Sequence, residues 1–187
     1  MAKLYGLGNY IITEMATKLM LEPEFYKFVY YTDLDEKGES ILTQPDLDSP
    51  IEALSQGDKQ NRQVFLNRRP DKILHHQDVN IFIYLDDIKN YGAKTKRIKT
   101  VTVKISILIH EQCSTTANGS RDICIISAIE KILEGQSFIK GLGSCEVVRV
   151  NSLFGLPVEY SGYEVLCSID GFPQSTEILE KRMGSDE

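Results

Sequence analysis

From Lys99 to His110 the chain reads KTVTVKISILIH, with Val101, Val103, Ile105, Ile107 and Ile109 alternating with Thr102, Lys104, Ser106, Leu108 and His110. A period of two sends alternate side chains to opposite faces, so this stretch predicts a half-buried strand. Just upstream, DVNIFIYLDDI is apolar at Val79, Ile81, Phe82, Ile83, Tyr84 and Leu85. That continuous run predicts a strand covered on both faces. KNYGAKTKR lies between the two and turns the chain into an antiparallel hairpin.

Helical spacing marks two other segments. In GNYIITEMATKLMLE, Leu7, Ile11, Met15 and Leu19 recur on one face with Ile12 and Ala16 beside them, and Asn9 is read as the N-cap. Pro23 either stops this helix or starts a new turn, and FYKFVYY, readable as a strand or a further helical turn, is taken as a buried helix end running into extended backbone. In SRDICIISAIEKILEG, Ser120 is the expected N-cap, Asp122 an acid in the first turn and Gly135 the stop. Ile123, Ile126, Ile129 or Glu130, and Leu133 trace the face expected to lie on the sheet, widened by Ile125, Ala128 and Ile132.

Between Asp33 and Arg62 neither period is sustained, and eight acids stand against three bases with two prolines and two glycines. QVFLN reads as a short strand, and RRPDKILHH as irregular. CEVVRVN and YEVLCSID form a second antiparallel pair around SLFGLPVEYSG, and TEILEKRMGSDE forms a terminal helix. The expected architecture is a single α+β domain over 1–187: a four-stranded, mainly antiparallel sheet with helices packed on one face. A long irregular acidic loop, at about 33–75, follows the N-terminal helix.

Composition narrows the function. Hydrophobic residues at 42% suffice for a core, and charged residues at 26% belong to a globular chain. A net charge of −6 with a pI near 5.2 argues against a domain built to grip nucleic acid. Cys113, Cys124, Cys145 and Cys167 form no CxxC pair, and MAKLYGLGNY lacks the apolar core of a signal peptide. Reduced core cysteines in a protein made in the cytoplasm are expected, with no membrane span.

Candidate chemistry is sparse. His75 and His76 are adjacent and would point to opposite faces of a strand, and His110 with Cys113 lacks the further ligands zinc needs. Asp86 and Asp87, with Asp78, close a strand without a nucleophile nearby in sequence. GLGS at Gly141–Ser144 precedes a strand, whereas a phosphate loop follows one and opens a helix. No catalytic, cofactor-binding or metal-binding residues are assigned. Lys89, Lys94, Lys96, Arg97, Lys99 and Lys104 form a run without an acid. It can be read as a nucleic-acid loop, as a partner for another protein's acidic surface or as a solvated hairpin tip. The chain's own acidic loop is a ready complement, which makes Asp33, Asp35, Glu36, Glu39, Asp46, Asp48, Lys94, Lys96, Arg97 and Lys99 the candidate subunit-interface residues.

The order of elements resembles that of the tail terminator proteins of tailed bacteriophages. The resemblance rests on NYIITEMATKLM, a variable loop, a strand pair ending VTVKISILIH, a polar loop into SRDICIISAIEKIL, and a final hairpin closing with YSGYEVLCSID. It implies a virion subunit of the tail or neck, assembled in the host cytoplasm as a ring, commonly a hexamer. It further implies no enzymatic activity and no cofactor. The implied partners are other copies, the tail tube protein and the head-tail connector or stopper, with DNA only as passing cargo. Two other readings are a head-side neck subunit (head-closure or adaptor protein) and a cytoplasmic α+β ligand-binding or enzymatic domain.

Overall fold

The computed structural model describes residues 2–32, 40–55, 62–68, 78–91, 98–138 and 143–172. In chain order the elements are α1 (Ala2–Leu21), α2 (Pro23–Tyr30), α3 (Pro50–Ser55), β1 (Val64–Phe65), β2 (Val79–Tyr91) and β3 (Ile98–His110). A small hairpin, β4 (Thr115–Thr116) and β5 (Gly119–Ser120), leads into α4 (Arg121–Leu133), β6 (Cys145–Ser152) and β7 (Tyr160–Phe172). The main sheet runs β1-β2-β3-β7-β6, so the strand with the clearest alternation lies at its centre. All four long strands pair antiparallel with their sheet neighbours, and β1 joins as a fifth, parallel to β2 through Val64–Ile81 and Phe65–Phe82.

Alternation sets what each face does. Val101, Val103, Ile105, Ile107 and Ile109 of β3 are buried together with Ile81 and Ile83 of β2 and Val165, Cys167 and Ile169 of β7. Against them pack Ile11, Met15 and Leu19 of α1, Phe25 and Val29 of α2, and Ile125, Ile129 and Leu133 of α4. Each fully buried aliphatic or phenyl side chain contributes about 1.5–3 kcal/mol of transfer free energy. The expected helix Arg121–Leu133 is present, and Gly135 follows it at φ 73°.

Several boundaries differ from the sequence reading. α1 starts at Ala2, so Asn9 is an interior residue and not the N-cap; its carbonyl accepts from the Thr13 hydroxyl at 2.9 Å. FYKFVYY is helical through Tyr30, because Pro23 at the first helical turn starts α2 and does not end α1. Ser120 occupies the cap position of α4, yet its hydroxyl bonds the Asp122 carboxylate and caps no backbone N–H. Ile123 is 54% exposed, because the packed face of α4 is centred on Ile125, Ile129 and Ile132. Within the acidic segment Ile41–Thr43 forms a 3-10 turn, α3 follows, and Ile41 and Leu54 are fully buried.

The least expected core residue is Arg121, fully buried at the start of α4. Its Nη1 donates to the carbonyls of Phe28 at 2.6 Å and Tyr31 at 3.1 Å, and its Nε to the carbonyl of Cys113. A cation at the C-terminal end of α2 meets the negative end of that helix's dipole. One guanidinium thereby ties α2, the turn after β3 and α4 together.

His75 and His76, and the expected helix over TEILEKRMGSDE, lie outside the described residues. Among the described residues no helix is long and apolar enough to cross a membrane.

Candidate assembly surface

On the face opposite the helices, β3 presents Lys104 and Ser106, β2 presents Tyr84 and β7 presents Glu164. Tyr84 lies across from Lys104, and Glu164 across from Ser106. The Tyr84 hydroxyl donates to Glu164 Oε2 at 3.1 Å, with Ser106 Oγ 3.5 Å away. Lys104 Nζ lies 3.1 Å from Asp86 and 3.3 Å from Glu164. Burial pushes the Lys104 pKa down, but the Asp86 hydrogen bond and the Glu164 charge outweigh it and hold it above its ordinary value. Burial likewise raises Tyr84. At neutral pH Lys104 therefore keeps its proton and centres an ion-pair lattice; it is poorly suited to act as a base. The acid-free run of the sequence thus ends in a lysine whose partners come from two other strands.

One end of the same sheet is apolar and outward-facing. The β6–β7 connection, LFGLPVE, places Phe154 at 86% exposure and Val158 at 96%. The loop is held from below. Leu153 N donates to Gly162 O at 2.9 Å, Tyr160 N to Pro157 O at 3.0 Å, and Glu111 N to Glu159 O at 2.8 Å. Gly162 has no side chain for a reason: a Cβ there would lie 2.6 Å from the Ile107 carbonyl oxygen, and 3.1 and 3.2 Å from Leu156 and Leu153. Two leucines anchor the loop while Phe154 and Val158 project away. Exposed apolar side chains gathered on an anchored loop offer a surface for contact with another molecule.

The sheet also has two flanks. The first half of β6 is covered: Cys145 exchanges hydrogen bonds with Gly135 and Gln136, and Val147 N donates to the Glu134 carboxylate at 2.7 Å. Beyond Val147, no described residue hydrogen-bonds the outer edge of β6. On the opposite flank β1 pairs only Ile81 and Phe82, so among the described residues β2 has no neighbour on that side from Ile83 onward. Phe65 stacks on Phe82 at 4.9 Å, and Leu66 beside it is 47% exposed.

Of the ten interface residues expected from sequence, Asp33, Asp35, Glu36, Glu39, Lys94, Lys96 and Arg97 lie outside the described residues. Lys99 pairs through its backbone with Asn90 and Phe172. Asp48 is exposed. Asp46 is exposed as well, but it already has intramolecular partners: Lys27 Nζ at 2.7 Å and the Tyr26 hydroxyl at 3.0 Å. The Lys27 hydrogen bond, then that of Tyr26, holds the Asp46 carboxyl below its ordinary pKa. Lys27 also reaches Leu42 O at 3.3 Å, so this cluster fastens the acidic segment to α2. The sequence reading passed over Phe154 and Val158. The available signal was a turn whose apolar residues flank Gly155 and Pro157 and satisfy no strand or helix period.

Cys113, Cys145 and Cys167 are buried, Cys124 is half-buried, and all four are free thiols. A hydrogen bond with Cys145, together with burial, pushes the Cys167 thiol far up. Among the described residues no three His, Cys, Asp or Glu side chains are grouped to hold a metal ion.

No curated protein matches the chain. The family model described as YomW matches residues 22–169, from the α1–α2 junction almost to the end of β7. YomW is the name of a phage-derived, Bacillus prophage protein. The chain belongs to the YomW family.

Proposed function

We propose that the protein is a structural virion subunit of a tailed bacteriophage: a tail terminator that assembles into a ring, caps the tail tube and joins it to the head connector. The observation that carries this reading is where the unsatisfied surface lies. Phe154, Val158 and the edges of β6 and β2, which are open among the described residues, sit at the periphery of the sheet. On the far face Tyr84, Lys104 and Glu164 pair with one another and with Asp86, while the buried Asn80 amide nitrogen finds no partner among the described residues. A molecule whose loose ends are edges and loops is fitted to meet neighbours, and family membership supports the phage context. With a net charge of −6, a ring of such subunits would let DNA pass without phosphate contacts holding it.

Light scattering on the purified full chain, followed by negative-stain imaging with and without tail tubes, tests the proposal. A closed ring that seats on tube ends is expected. A stable monomer at all concentrations would overturn it. A ring that binds portal-bearing heads and ignores tubes would move the protein to the head side of the neck.

A further inference from the structure

We propose that copies of this chain join head to tail through the two flanks of the main sheet, the β6 flank of one copy seating against the β2 flank of the next. The inference rests on the ring reading and names its interface. The two flanks lie on opposite sides of one sheet, so each copy offers two different surfaces, as a head-to-tail contact requires.

Three features match across the flanks. The first is backbone. Leu153 N points to β7, so by strand alternation Ser152 and Val150 direct their N–H and C=O groups outward. The β2 edge offers a matching row from Ile83 onward. Register shifts at Val147/Arg149 and Leu85/Asp87 confine flush pairing to a short ladder. The second is apolar surface: Val148 on β6 is 52% exposed, with Phe154 and Val158 on the loop that follows the strand, and Leu66 at 47% stands on the other flank. The third is charge: exposed Arg149 lies on the β6 flank, and on the β2 flank Asp86, although 3.1 Å from Lys104 of its own chain, keeps 35% of its side chain exposed to take a second cation, while Glu146 sits in the half of β6 already covered.

A second copy of this chain satisfies all three features at once. Strand twist rotates each added sheet relative to the last, which favours a curved array over a flat one. Native proteins seldom leave open edges beside exposed apolar side chains unless something pairs with them.

The test uses two full-length variants. Variant one alters the β6 flank with Ser152→Pro and Phe154→Ser; proline on an edge strand removes one outward N–H and spares the core. Variant two alters the β2 flank with Leu66→Lys and Asp86→Lys, setting two cations against Arg149. Thermal melting confirms that both fold. Native mass spectrometry should show each variant alone as a monomer at concentrations where the wild type assembles. The equimolar mixture should give a one-to-one heterodimer and nothing larger, because one good interface remains. If either folded variant assembles like the wild type, or the mixture stays monomeric, the flank pairing is wrong although a wild-type ring stands. If the wild type is itself monomeric throughout, the ring reading and this inference fail together.

Discussion

The two faces of the sheet obey opposite rules. The helix-covered face is apolar and closed, and the cations buried in its helical layer, Arg121 and Lys27, are spent on backbone carbonyls and on Asp46. The far face buries Asn80, Phe82, Ser106 and Leu108 but keeps half-buried charges in Lys104 and Glu164, and among the described residues the flanks leave Phe154, Val158 and two strand edges open. The first arrangement fixes the fold. The second holds what remains available for other molecules, and substitutions should separate the two cleanly.

The largest effect belongs to Arg121. Arg121→Met removes donors from the carbonyls of Phe28, Tyr31 and Cys113 inside the core. Each orphaned buried group costs about 1–3 kcal/mol, so a loss of at least about 3 kcal/mol is expected in urea unfolding. A loss below 1 kcal/mol would show that the helical layer is not held as described.

Within α4, Ile129→Ala should cost about 2–5 kcal/mol, since Ile129 is fully buried. Ile123→Ala, at 54% exposure, should stay within about 0.5 kcal/mol. Equal melting shifts for the pair would restore the helix phase expected from sequence. Gly162→Ala forces a Cβ to within 2.6 Å of the Ile107 carbonyl oxygen. It should cost about 1–3 kcal/mol by overpacking, and increase proteolysis at the Phe154–Val158 loop that Gly162 supports.

The smallest effect is expected in the far-face lattice. Lys104→Met should change stability by about 1 kcal/mol or less, as partly exposed ion pairs do. The Lys104 pKa is raised in the fold, so its contribution is present below the ordinary lysine pKa of 10.5 and fades as pH rises through the higher folded value. Wild type and Lys104→Met should therefore converge in melting temperature at strongly alkaline pH. Divergence there would mean that Lys104 acts through packing instead.

The same contrast explains what was legible in the sequence. The helix-facing residues Val101 to Ile109 recur at a period of two, although Ser106, Leu108 and His110 on the other face are buried as well, and the β2–β3 hairpin, the β6–β7 pair and α4 can all be read from such apolar patterns. The phase of α4 was misread because Ile123 is apolar yet points outward, and periodicity counts apolar residues without knowing what covers them. Arg121 hid for the opposite reason: a charged residue at a helix start looks solvated until three carbonyls from distant segments converge on it. Ile41, Leu54 and the Lys27–Asp46 pair order part of the acidic loop through contacts that no local pattern encodes. The assembly surface was the least legible, because neither an open strand edge nor an anchored loop carries a residue signature.

The most direct measurement is hydrogen–deuterium exchange on the full chain, compared between dilute and concentrated solution. Assembly through the sheet flanks predicts slower exchange on concentration in peptides spanning 148–158 and 83–87, with α4 unchanged. Protection gained across α1 and α4, with both strand edges unaffected, would contradict the division of labour between the two faces.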